Sequence, residues 1–231
     1  MRHISATASN SANMLNLPSL SISYQSDKVP KLDLSIENCT IRSKVFDNER
    51  VTLIVLGTPV LGEKIVYDEI WAAASNSGLA PEFLKKVNGE FLLVMLDKTQ
   101  RILQISNDRF TSIPLFYVAD KAGFFASIFY KDVWEHLKST NRVKLNEYGV
   151  FEFLCLQRLI GKKTYDQYSS FMLAATTLTY SDGAATTSRY WTPSFEKTKE
   201  PKLDCSNQLV ELLRQSTRRK TSDDPRQAGM F

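Results

Sequence analysis

Histidine is nearly absent from this chain: its 231 residues contain only two, His3 and His136. A serine or cysteine hydrolase needs a base beside its nucleophile, so this scarcity leaves little room for a dyad or triad. Cysteine is also scarce. Cys39, Cys155 and Cys205 form no C-x-x-C pair, and their odd number argues against a disulfide framework and a zinc site. No apolar run reaches the roughly 18 residues that a membrane-spanning helix requires. The first residues, MRHISATASNSANMLNL, lack the apolar core of a secretory signal. Basic residues are not concentrated: the net charge is +4, and the one dense run, Arg218-Arg219-Lys220, suits a helix end. The reading therefore expects a cytoplasmic protein that engages neither membrane nor nucleic acid. G-x-S-x-G, H-E-x-x-H, the Walker loop and G-x-G-x-x-G are all missing.

What is present is an ordinary globular composition, 43% hydrophobic and 23% charged, in a chain long enough to bury its own core. Residues 20 to 56 read as strands through LSISY, LDLSIENCTI and VTLIVLG, broken by the turn Asp47-Asn48-Glu49-Arg50. Ile70, Trp71 and Ala74 follow at helical spacing, ended by Gly78, and Pro81 opens a second short helix. Four strand-length runs come next: GEFLLVMLD, RILQISND, IPLFYVAD and GFFASIFY. Their short links predict antiparallel neighbours in a meander. The stretch Phe91 to Leu96 does not alternate, so its strand needs a cover on both faces, helices on one and a second sheet on the other.

Helical patterns return over Lys131 to Ser139 and over Asn146 to Arg158. In the latter Asn146 can cap, and Tyr148, Phe151, Leu154 and Cys155 share a face. Thr-rich flanks around Ser181-Asp182-Gly183 predict a hairpin. Residues 192 to 203 read as a linker, and Leu209, Val210, Leu212 and Leu213 mark a last helix from Asp204 to about Lys220.

Among candidate reactive groups, His3 falls in a loose tail and His136 on a solvated or half-covered helix face. Cys39 and Cys155 read as small hydrophobes in a strand and a helix. Asp108 and Arg109 serve either as an ion pair or as part of a site; on extended backbone adjacent side chains diverge.

The order of these pieces resembles the N-terminal half of the asparagine synthetase family. Gly89, Phe91, Asp97, Asp108, Phe110, Pro114, Leu115 and Tyr117 match that family's spacing, and so do Phe125, Ala126 and Ser127, then Gly161 and Thr164, then Arg189-Tyr190-Trp191. The resemblance covers residues 45 to 231. It implies an α+β fold of the N-terminal-nucleophile (Ntn) type, a four-layer αββα sandwich of two antiparallel sheets. It implies a class II glutamine amidotransferase-like domain over residues 18–191, after a flexible N-terminus at 1–17. Residues 192–231 are then a linker and the first elements of an ATP-dependent ligase domain, the chain stopping short of the family's Ser-Gly-Gly-x-Asp-Ser loop. ATP and Mg are implied for the full-length parent and no cofactor for this chain. The implied partner is that synthetase domain in cis, and a homodimer is open.

The family's nucleophile is an N-terminal cysteine. Here residue 2 is Arg, the Arg-Gly-Pro-Asp and Gly-Ser-Asp motifs have no counterpart, and Leu56-Gly57-Thr58 stands where the family has Asn-Gly-Glu. Asn107, Thr111 and Ile113 replace Arg, Gly and Arg or Lys of the family pattern. The expectation is a degenerate, inactive domain, as in the β-lactam synthetase and lasso-peptide cyclase relatives, with no catalytic, cofactor-binding or metal-binding residue assigned. The alternatives are a piece of a genuine glutamine-hydrolysing asparagine synthetase and a recognition module for a peptide or carrier.

Overall fold

Phe91 to Leu96 is buried along its whole length, and the reason is visible in a computed structural model that describes residues 19–25, 31–37, 41–62, 64–195 and 202–221. Leu92, Val94 and Leu96 point into one hydrophobic cluster, while Phe91, Leu93 and Met95 point into another. The strand lies between two apolar layers, as its unbroken hydrophobicity requires.

The chain begins with strands β1 (Ser19–Gln25), β2 (Lys31–Glu37), β3 (Ser43–Asp47), β4 (Val51–Leu61) and β5 (Lys64–Ile65). Helices α1 (Tyr67–Ser77) and α2 (Pro81–Leu84) follow, then β6 (Asn88–Asp97), β7 (Ile102–Asn107), β8 (Phe116–Asp120) and β9 (Gly123–Ser127). The remainder is α3 (Tyr130–Ser139), α4 (Glu147–Leu156), β10 (Ser170–Phe171), β11 (Thr176–Ser181), β12 (Ala184–Arg189) and α5 (Lys202–Thr221). All strand pairings among the described residues are antiparallel. One sheet runs β10-β8-β9-β1-β2; the other runs β12-β11-β7-β6-β4-β3, with β5 paired to β4.

Three apolar clusters define the layers. Ile22, Tyr24, Tyr117, Phe124 and Ala126 of the first sheet meet Leu56, Leu92, Val94 and Ile105 of the second. The outer face of the second sheet carries α1 and α2 through Ile70, Ala74 and Leu84. The outer face of the first packs α3 through Val133 and Leu137 against Val118. This is the αββα sandwich expected of an Ntn-type domain. Each fully buried aliphatic side chain in these layers contributes roughly 1.5–3 kcal/mol by burial.

Local chemistry sets the turns. Asn48 accepts from the N–H groups of Arg50 and Val51, closing β3 onto β4. Asp182 and Gly183 both take positive φ, the two-residue turn that a twisted hairpin favours. Asn146 caps α4 through the Gly149 N–H at 3.1 Å.

Two expectations are corrected. The four middle runs are not one meander: β6 pairs with β7 and β8 with β9, but β7 and β8 belong to different sheets. Residues 108 to 115 carry the chain from one sheet to the other, and β8 begins at Phe116 instead of Ile113. The face of α4 that the spacing marks out stands open, with Tyr148, Phe151, Leu154 and Cys155 exposed, so Cys155 is not a buried small hydrophobe. The readings of residues 1–17, His3 and Cys39, and of residues 196–201 in the 192–203 linker, lie outside the described residues. No helix among the described residues is long and apolar enough to cross a membrane.

Candidate functional site

A dense group of hydrogen-bonded polar residues lies where the chain leaves β7 and crosses between the sheets. Asn107 and Asp108 are buried there, although both are strongly polar. Asn107 donates to the carbonyl of Leu173 at 2.9 Å and accepts from the Thr176 N–H at 2.9 Å. The Tyr190 hydroxyl donates to the Asn107 carbonyl at 2.6 Å. Burial and the nearby Asp108 charge push the Tyr190 hydroxyl pKa well up, so this bond persists through neutral pH.

The Asp108 carboxylate accepts from the N–H groups of Phe91, Phe110 and Ser112, and from the Ser112 hydroxyl. Its own carbonyl receives the Ala175 N–H at 2.9 Å. Both carboxylate oxygens are thus occupied by the loop they fold. Arg109 does not pair with it: its guanidinium stacks 5.1 Å from the Trp191 ring and donates to the Lys85 carbonyl. Phe110, 79% exposed, packs edge-on against the same ring. Of the two readings open for Asp108 and Arg109, neither an ion pair nor a convergent site results; each is engaged with a different part of the sandwich.

The segment Leu56-Gly57-Thr58 lies nearby and does not form a loop. β4 runs straight through it to Leu61. Leu56 is fully buried between the sheets, and the Gly57 N–H is given to the Arg42 carbonyl at 2.7 Å. Gly57 has φ +92, and a Cβ there would collide with the Glu90 carbonyl on β6. Thr58 donates to the Glu90 carboxylate at 3.2 Å, and Tyr67 donates to the Gly57 carbonyl at 2.9 Å.

A second buried polar knot escaped the sequence reading. Asp166 accepts from the Tyr168 and Ser169 N–H groups, the Thr164, Ser169 and Tyr130 hydroxyls. Burial pushes its carboxyl upward, but the hydrogen bonds from Ser169, Tyr168 and Tyr130 outweigh that and hold it below the usual carboxylate range. Tyr130 is raised in turn by burial and by the Asp166 charge. The hint was the polar run Thr164 to Ser170, which reads as a loop; only the fold shows that one carboxylate organises it.

His136 sits half-covered on α3, its ring stacked on Phe125 with centroids 4.2 Å apart. Cys155 is exposed on α4 and Cys205 half-buried on α5. Among the described residues no group of three or more His, Cys, Asp or Glu is arranged to hold a metal. The chemistry of the crossover is that of a braced junction: its acceptors are filled by backbone N–H groups and by the Ser112 and Tyr190 hydroxyls.

Comparison with known proteins supplies the context for this junction. No curated protein matches the sequence. Two solved structures are similar at 8% identity, each over 76% of this chain and 43% of its own length. One is the glutamine phosphoribosylpyrophosphate (PRPP) amidotransferase from B. subtilis complexed with ADP and GMP, with a TM-score of 0.39. The other, with a TM-score of 0.41, is described as the allosteric regulatory enzyme of purine biosynthesis. The chain therefore spans less than half the length of either. A family model described as a glutamine amidotransferase domain matches residues 69–191, which take in α2, the crossover at 108 to 115 and the Asn107–Tyr190 bond. That match covers more than half of the 231 residues, and the chain belongs to the glutamine amidotransferase domain family.

Proposed function

We propose that the chain is a non-hydrolysing member of this family, a scaffold domain of an asparagine-synthetase-like, ATP-dependent amide-forming ligase. The observation that supports this most is the fate of Leu56-Gly57. Leu56 occupies the position of the asparagine in the resemblance, has no polar donor, and is locked between the sheets. The neighbouring Gly57 N–H is spent on Arg42. Losing one preorganised donor to a tetrahedral oxyanion costs roughly 3 kcal/mol of transition-state stabilisation, a factor of 10² or more in rate. In this reading residues 18–191 form the scaffold, and residues 192–231 lead into a ligase domain that holds ATP and Mg²⁺.

The experiment is direct. The purified chain is incubated with glutamine, and ammonia release is followed by a coupled dehydrogenase assay against a heat-denatured control. The expected result is no difference; turnover above the control overturns the proposal. A second reading, a domain that hydrolyses glutamine, is favoured by the family match over residues 69–191, and such turnover would establish it.

A further inference from the structure

Helix α4 packs on the domain by one side only, through Gly149, which is buried, and the half-buried Glu152 and Phe153. On the opposite side Tyr148, Phe151 and Leu154 are 85%, 69% and 66% exposed, with Cys155 beside them. Tyr148 and Phe151, with aromatic side chains of about 150–250 Å² each, alone leave roughly 300 Å² open, and Leu154 and Cys155 add to it. Patches above a few hundred Å² on a folded domain mark an interaction surface.

The charges around the patch restrict what fits it. Glu147 opens the helix, and Arg158 follows the left-handed Gln157 just beyond its end; both are exposed, and neither ion-pairs with a described residue. Glu152, the other acid of the helix, already pairs with Lys163 at 2.7 Å. The occupant must therefore be apolar in its middle, positive where Glu147 lies and negative where Arg158 lies. α4 itself, turned end for end, has this pattern.

We infer that α4 is an isologous interface between two copies of this chain. A two-fold axis passing between the levels of Phe151 and Leu154 sets Phe151 against the partner subunit's Leu154. The same operation brings Glu147 to the partner subunit's Arg158, and the reverse pair forms at the other end. A closed two-fold contact of this kind satisfies both charges twice and leaves no open face. Antiparallel helices also oppose their dipoles favourably. The apolar centre with its charged rim approaches the roughly 800 Å² per partner of a stable interface.

Sedimentation velocity on the full chain tests this. A dimer is expected at micromolar concentration. Phe151→Glu should render it monomeric with an unchanged circular dichroism spectrum, since the side chain is not part of the core, and with a melting temperature that no longer depends on protein concentration. Glu147→Arg and Arg158→Glu should each weaken association roughly tenfold through paired like charges, and the double exchange should restore it. Leu209→Glu with Leu213→Glu, on the exposed face of α5, should leave the dimer intact. A monomeric wild-type chain overturns the inference and assigns the face to another partner. So does a dimer that survives Phe151→Glu, one lost through the α5 changes, or a double exchange no better than its single members.

Discussion

Phe91 and Asp108 are tied twice: the Asp108 N–H donates to the Phe91 carbonyl at 3.1 Å, and the Phe91 N–H donates to the Asp108 carboxylate at 3.3 Å. One residue belongs to a strand buried on both faces, the other opens the passage between the sheets. The pair anchors the crossover to the centre of the sandwich, and the bonds it makes contribute to folding stability.

Replacement of Asp108 by Asn tests that assignment. The amide keeps the shape but turns one acceptor into a donor, facing the Phe91 and Ser112 N–H groups on one side or those of Phe110 and the Ser112 hydroxyl on the other. Hydrogen bonds to a charged acceptor are worth about 1.5–3 kcal/mol, and a buried donor without a partner adds its own penalty. Asp108→Asn should therefore lose about 2–3 kcal/mol in urea denaturation. A loss under 1 kcal/mol would show that water or a rearranged loop satisfies the same donors.

Thr111 adopts φ +56, a left-handed conformation that a β-branched residue enters at a cost of about 1–2 kcal/mol. It is also a position where the asparagine synthetase pattern has glycine. Thr111→Gly should raise stability by up to about 1 kcal/mol, the relief of strain being partly offset by the greater freedom of unfolded glycine. The side chain gives up only a 3.3 Å bond from the Asn107 amide. Thermal unfolding measures the change; a lower melting temperature would mean that this bond outweighs the strain.

The contrast between Thr111 and Phe91 shows where the sequence was readable. Phe91 to Leu96 carried an unbroken apolar pattern, and two covering layers followed from it by physical necessity. The hairpin around Ser181-Asp182-Gly183 was equally plain, because its turn demands residues that tolerate positive φ. The sheet change between β7 and β8 was not, since a short polar link suits a hairpin and a crossover alike. What decides it is the pairing of β7 with β11, from Ser106 with Thr177 to Leu103 with Tyr180, which no local pattern encodes. For the same reason the bonds of Asn107 to Leu173, Thr176 and Tyr190 were hidden, whereas the polar character of the Asn107–Ser112 stretch was visible. α4 misled in the other direction: its apolar face is real, but periodicity reports that a face exists and not which molecule covers it.

His136 offers a probe of the outer helical layer. Its ring lies flat on Phe125, and burial lowers its pKa below the ordinary value, reinforced by the Arg142 charge and opposed by Asp120. Arg142 and Asp120 are themselves ion-paired. The folded chain thus holds this imidazole neutral while the unfolded chain protonates it near pH 6.5. Above that pH the two states bind equal numbers of protons at this site and its stabilising contribution is complete. As pH falls from about 6.5 through the lower folded pKa, the unfolded state takes up the proton first and stability declines. The depressed carboxyls of Asp120 and Asp166 act only below their unfolded range, near pH 4, so the two effects separate. His136→Phe keeps an aromatic ring on Phe125 and removes the titration. Urea midpoints of this variant should fall less than those of the wild type between pH 7 and pH 5. Parallel curves for the two proteins in that window would show that His136 is protonated as readily in the folded chain as in the unfolded one.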